Sequence, residues 1–161
     1  MKKSLIIYSL LGLTFLLSCE KDETRVVIKE NITAPAITYP SDNYTKIISP
    51  ADSADYFVIR WDAADYGVMT PVTYTIRLDS TGKELTGAYI LAATTADSLA
   101  LTFYELNALL LDDLGLPQNV ESVLELQVSA SINDLFPVSS EVITMKITPW
   151  RPKDYGTNQR R

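Results

Sequence analysis

Histidine is absent from all 161 residues, and cysteine occurs once, at Cys19. The first absence removes the commonest general base, the usual zinc ligand and any Ser-His or Cys-His nucleophile pair. The second leaves no partner for an intrachain disulfide. No internal repeat is visible. A bilayer-spanning run is missing too: the apolar stretch from Leu5 to Leu17 is about a dozen residues, where a spanning helix needs roughly 20. Positive charge is in deficit, with 14 Lys and Arg against 20 Asp and Glu and a net charge of −6. An acidic domain repels phosphate backbones, so nucleic acid is disfavoured as a partner. Glycoside hydrolysis needs two carboxylates flanking a cleft, usually about 5–10 Å apart. Twenty acids make accidental pairs inevitable, so their number argues nothing. With no recognisable active-site motif either, the expectation is a protein that is not an enzyme and carries no cofactor.

What is present begins at the N-terminus. Lys2 and Lys3 precede the short apolar run, which ends in small residues. That is the form of a secretory signal rather than of a structural helix. Leu16-Leu17-Ser18-Cys19 has the form of a lipobox, with a leucine three positions before the cysteine and a small residue just ahead of it. The expectation is cleavage between Ser18 and Cys19 and acylation of Cys19, giving a bacterial lipoprotein. One acyl chain alone binds membranes marginally, at about 0.8 kcal/mol per buried methylene. The two or three chains of a bacterial lipoprotein make attachment effectively permanent. The plain alternative for Cys19 is a free thiol beyond an ordinary signal peptide.

The expected organisation is a signal peptide over 1–18, a charged tether over 19–30, one domain over 31–150 and a basic tail over 151–161. Removing eighteen residues from 161 leaves about 140, enough for one domain with its own core. Loss of Lys2 and Lys3 takes the net charge from −6 to about −8. Composition, at 47% hydrophobic and 21% charged, is that of a globular chain.

Inside 31–150 the dominant signal is alternation. Val72, Tyr74, Ile76 and Leu78 interleave with Thr73, Thr75, Arg77 and Asp79. Leu124, Leu126, Val128, Ala130 and Ile132 do the same against Glu125, Gln127, Ser129 and Ser131. Phe57, Ile59 and Trp61 mark another run, and Ile143, Met145 and Ile147 a further one. Each predicts a strand with one buried and one wet face, as in antiparallel sheets. Shorter candidates are 36–39, 46–49, 89–93 and 98–101. Turn residues separate them, as in Pro40-Ser41-Asp42-Asn43 and Ser80-Thr81-Gly82-Lys83. About seven short antiparallel strands argue an all-β sandwich of the immunoglobulin or fibronectin III type.

One segment breaks the period. Thr102 and Glu105 are spaced as a capping box, and Leu106, Leu109, Leu110 and Leu114 line one helical face. Gly115 offers a left-handed cap and Pro117 forbids continuation. A single short helix, about 103–114, is expected to cross between two strands. Asp112 and Asp113 fall near its C-terminus, where acids oppose the helix dipole.

Several segments together resemble the N-terminal domain of SusE-type outer-membrane proteins. They are the lipobox, Ala34-Pro35-Ala36-Ile37, the stretch from Phe57 to Gly67, Pro71-Val72-Thr73-Tyr74-Thr75-Ile76, Ala92-Ala93-Thr94-Thr95 before the Leu-rich helix, and Val142 to Trp150. The resemblance implies a sandwich on an outer-membrane lipoprotein that supports starch or other glycan capture beside importer components of the SusC and SusD type. Longer family members continue into carbohydrate-binding modules that hold the aromatic glycan platforms. The expectation is a membrane-proximal domain alone, from a short or truncated family member, so no glycan contact of the family is carried over. Glu20-Lys21-Asp22-Glu23 is similar to the surface-export signals of such lipoproteins, with a solvated tether as the plain alternative. A purely structural spacer or protein-interaction module is the alternative function.

Sugar recognition commonly uses an exposed aromatic face. Trp61 and Tyr74 lie on apolar strand phases and are expected in the core. Tyr44, Tyr66, Trp150 and Tyr155 fall in turns or at the domain edge, as loop anchors or as exposed rings. Tyr66 and Trp150 are the glycan-contact candidates. Asp52, Asp55, Asp62 and Asp65 cluster along the chain, but their spacing fits no calcium loop, so no metal is expected.

Overall fold

Alternating residues put one side of the longer strands into a shared interior, and the computed structural model, which describes residues 27–82 and 85–151, shows two facing sheets built around them. Strands β1 (Ala36–Tyr39), β3 (Tyr56–Asp62) and β6 (Ser98–Thr102) form a three-stranded sheet in the order β1-β3-β6. The larger sheet runs β2 (Tyr44–Ile47), β9 (Ile143–Thr148), β7 (Ser122–Ile132), β4 (Thr73–Ser80), β5 (Tyr89–Thr94), with β8 (Leu135–Ser139) also on β7. This is the expected immunoglobulin- or fibronectin III-like sandwich, with nine strands among the described residues rather than about seven. The signal segment, Ser18, Cys19, the Glu20–Glu23 cluster and Tyr155 lie outside the described residues.

The spine of the large sheet is β4 against β7, paired antiparallel from Thr73↔Ser131 to Ser80↔Leu124. Tyr74, Ile76 and Leu78 from β4 meet Leu124, Leu126, Val128 and Ala130 from β7 in the buried interior. Phe57, Ile59 and Trp61 close over them from β3, as the alternation predicts. Burying one such aliphatic side chain contributes about 1.5–3 kcal/mol. Trp61 packs on Tyr74 across the two sheets, with ring centroids 5.6 Å apart. Its indole Nε1 is buried with no acceptor among the described residues, a position that typically costs about 1–3 kcal/mol.

Two departures from simple antiparallel pairing matter. First, the chain leaves β1 and changes sheets through 40–43, so β2 pairs with β9 in parallel, from Tyr44↔Met145 to Ile47↔Thr148. Asp42 secures the switch, accepting from the Thr144 amide and hydroxyl at 2.8 Å each. Those bonds hold its carboxyl below the usual range. Second, β8 and β9 lie end to end along one edge of β7. Between them Ser140 repairs the ladder: its hydroxyl accepts from the Val128 amide at 3.1 Å and donates to the Glu141 carbonyl at 2.8 Å.

Strand β8 was not expected, because Pro137 interrupts it and no alternation marks it. The hairpin that creates it turns at Asn133 and Asp134, both at positive φ (48° and 61°), the geometry of a two-residue primed turn. Pro137 is tolerated because β8 is an edge strand on this path.

The predicted helix splits. Helix α1 covers Phe103–Ala108 and continues as a wider π turn over Leu109–Asp113. Thr102 and Glu105 make the expected capping box: Thr102 Oγ1 accepts from the Glu105 amide at 3.2 Å, and Glu105 accepts from the Thr102 amide at 2.8 Å. The next two amides, of Phe103 and Tyr104, donate to the carbonyls of Asp55 and Ser53. The wider turn shows in Leu114 N–H bonding Leu109 O at 3.0 Å, five residues back. Gly115 takes the left-handed conformation (φ 64°) and ends the helix. Leu106 and Leu110 are fully buried, while Leu109 and Leu114 only flank the core.

Candidate binding cleft

The chain enters and leaves the sandwich at opposite ends. At entry, Lys29 N–H donates to Tyr66 O at 3.0 Å and Thr33 bridges Asp65, beside the loop that follows β3. Ile28 already packs on the core, so the packed chain starts ahead of residue 31. At exit, β9 runs out past α1 to Trp150 and Arg151.

At the exit end lies a cleft of about 270 Å³. Its walls are the outward side of α1 (Tyr104, Asn107, Leu111), the turn after β2 (Ser49, Ser53) and Trp150. Helical phase explains the wall: Phe103, Leu106 and Leu110 point into the core, which turns Tyr104, Asn107 and Leu111 outward. Trp150 is 36% exposed and Tyr104 70%. The Trp150 backbone is fixed on both sides. The Asn107 side chain donates to Trp150 O at 2.9 Å and accepts from Trp150 N–H at 2.8 Å, as a strand neighbour would. Asn119 donates its backbone N–H to Pro149 O at 2.8 Å and its side-chain amide to Arg151 O at 2.9 Å.

Two ion pairs stand at this end. Arg151 Nη2 reaches Asp112 Oδ1 at 2.6 Å, which answers the unfavourable placement of an acid at the helix C-terminus. Asp52 caps the turn after β2, accepting from Lys46 Nζ at 2.9 Å and from the Ser49 amide at 2.8 Å. The Lys46 bond, followed by Ser49, pulls the Asp52 carboxyl down to about 2. Lys46 also lies 4.7 Å from the Phe103 ring centre. Asp52, engaged by Lys46 and by the Ser49 amide and hydroxyl, serves the turn rather than the cleft. The cleft itself offers aromatic surface and hydrogen-bonding groups on a fixed backbone, the means for binding.

The structure corrects one candidate. Tyr66 is not an exposed ring: it is 2% exposed, and its hydroxyl donates to Phe136 O at 3.0 Å. The cause is the turn itself. Asp65 accepts from Gly67 N–H at 2.8 Å, Gly67 takes φ 72°, and the segment at Lys29 closes over the loop. Burial raises the Tyr66 hydroxyl above its ordinary value. Tyr66 and Trp150 sit at opposite ends and form no common site. Tyr44 is half-buried, with its ring centroid 5.9 Å from that of Phe57. Trp61 and Tyr74 are core residues, as expected. Tyr104 was missed, although the phase of α1 signals it. The four acids do not converge: Asp52 serves the turn after β2, while Asp65 pairs with Lys29 at the other end.

A family model described as "SusE outer membrane protein" matches residues 21–129, about two thirds of the chain. Among solved structures, the fibronectin(III)-like modules of Clostridium thermocellum CbhA are similar at 13% identity and a TM-score of 0.42, covering 73% of this chain and 98% of that one. No curated protein matches the chain.

Proposed function

The chain belongs to the SusE outer membrane protein family, and from that premise we propose that it is a non-catalytic surface lipoprotein accessory to starch or other glycan capture. Residues 1–18 are its signal peptide, Cys19 carries the lipid, the segment to about residue 30 is the tether, and 31–150 is the SusE-type domain. It faces the cell surface and works beside importer components of the SusC and SusD type. The family match over 21–129 is the observation that carries this reading.

The cleft at the exit end supports a direct role. A sugar ring presents an apolar face of C–H groups and a rim of hydroxyls. Trp150 and Tyr104 offer exposed aromatic surface for the first, and Ser49, Ser53 and Asn107 offer polar atoms for the second. Affinity electrophoresis through starch-containing gels tests it. The protein is retarded, and Trp150→Ala and Tyr104→Ala variants with unchanged melting temperature migrate as in a sugar-free gel. Equal migration of the parent protein with and without starch or other glucans overturns direct binding. In that case the domain is a spacer or protein-interaction module, a reading favoured by entry and exit at opposite ends of the sandwich.

A further inference from the structure

Four large apolar side chains are exposed at the end where the chain enters: Val27, Met69, Leu135 and Phe136. They come from three segments that the fold draws together. Met69 tips the loop between β3 and β4, and Leu135 and Phe136 follow the β7–β8 turn. Register puts both turns at one end, since Thr73 at the start of β4 pairs with Ser131 near the end of β7. The Tyr66 hydroxyl ties the two together through Phe136 O at 3.0 Å, and Lys29, two residues after Val27, is bonded to Tyr66 O. Met69 is fully solvent-exposed, Leu135 59% and Phe136 52%. Phe136 holds φ 53°, a strained conformation for a bulky residue, and burial of its ring in the core does not offset that strain.

We propose that this end is a lipid-contacting face, with Met69, Leu135 and Phe136 resting at the acyl boundary of the membrane that holds the protein. The inference rests on the reading of Cys19 as the lipid attachment site. Chain length supports it. Val27 follows Cys19 by eight residues, and a fully extended chain covers at most about 3.5 Å per residue, roughly 28 Å. A face held this close to a bilayer sees it at a very high effective concentration, so weak apolar contacts suffice. Lys29 and Asp65 neutralise each other here, while the exposed Glu30 and Asp134 leave the rim of this end acidic. The face therefore fits a zwitterionic rather than an anionic lipid surface, with both carboxylates at headgroup level.

The test uses the full-length acylated protein in phosphatidylcholine vesicles with and without brominated acyl chains, which quench tryptophan on contact. Met69→Trp and Leu135→Trp are made separately; both side chains are exposed, and two variants guard against one misfolding. The fluorescence added by each new tryptophan falls about twofold or more in brominated vesicles, as insertion at the boundary requires. The signal lost on Trp150→Phe, at the far end, is the same in both vesicle types. Vesicle-bound protein whose added tryptophan is unquenched overturns the lipid face and leaves the anchor intact. Protein that stays in the supernatant overturns the anchor, and the lipid face with it.

Discussion

The two ends of the sandwich solve the same problem, satisfying the backbone where strands stop, with different means. At the entry end the solution is a buried ring: Tyr66 lies under its loop, its hydroxyl reaches Phe136 O, and the segment at Lys29 covers the turn, while the Phe136 ring and a groove of about 560 Å³ beside Tyr66 and Met69 stay open. At the exit end it is open: α1 is capped by Thr102 and Glu105, Asn107 and Asn119 hold the departing chain by its backbone, and the aromatic rings stay exposed. An aromatic residue used as a plug cannot stack on a ligand, whereas one whose main chain is fixed leaves its ring free to do so. That difference separates Tyr66 from Trp150, which the sequence presents as equivalent turn aromatics.

Three variants and a change of pH test whether the two ends behave independently. The largest effect belongs to what both ends share. Leu126 is fully buried in the middle of β7, so Leu126→Ala lowers the urea unfolding free energy by about 2–5 kcal/mol. Its effect on hydrogen exchange reaches both ends alike. Next is Gly67→Ala, confined to the entry end. It forces a side chain into φ 72° with the new methyl 3.0 Å from Lys29 Cβ. The left-handed conformation alone costs about 1–2 kcal/mol, and exchange of the Lys29 and Thr33 amides should accelerate while the α1 amides stay protected. Thr102→Ala is the exit-end counterpart. Loss of the cap costs about 1 kcal/mol, and protection falls at Glu105 and not at Lys29. The gentlest is acid. Asp52, at about 2, lies below its ordinary 3.8, so the stability it lends is complete above that ordinary value and fades as pH falls toward 2. Asp65 is lowered too, by Lys29 and the Gly67 amide. Melting temperature should therefore decline below about pH 4, and Asp52→Asn should flatten the exit-end share of the decline.

Much of the frame was legible because it is local or periodic. The alternation of Val72–Asp79 and Leu124–Ile132 reports a buried face directly, and Thr102 with Glu105 announces a helix start at fixed spacing. What escaped depends on partners distant in the chain. Tyr66 is buried by Lys29 and Phe136, thirty-seven and seventy residues away, which no local pattern encodes. The parallel pairing of β2 follows from a change of sheet at 40–43, not from its own side chains. Asp112 opposes the helix dipole, and the ion pair that offsets this comes from Arg151, thirty-nine residues on. Tyr104 is the exception, since the spacing of Phe103, Leu106 and Leu110 already turned it outward.

If Cys19 carries the lipid as proposed, the contrast between the ends becomes one of orientation: the entry end toward the membrane, the exit end away from it. Fractionation of cells expressing the protein or its Cys19→Ala variant tests that most directly, combined with the mass of the processed N-terminus. The expected result is an acylated Cys19 in the membrane pellet and release of Cys19→Ala into the soluble fraction. A Cys19→Ala protein that still pellets, or a parent protein whose Cys19 bears no lipid, contradicts it.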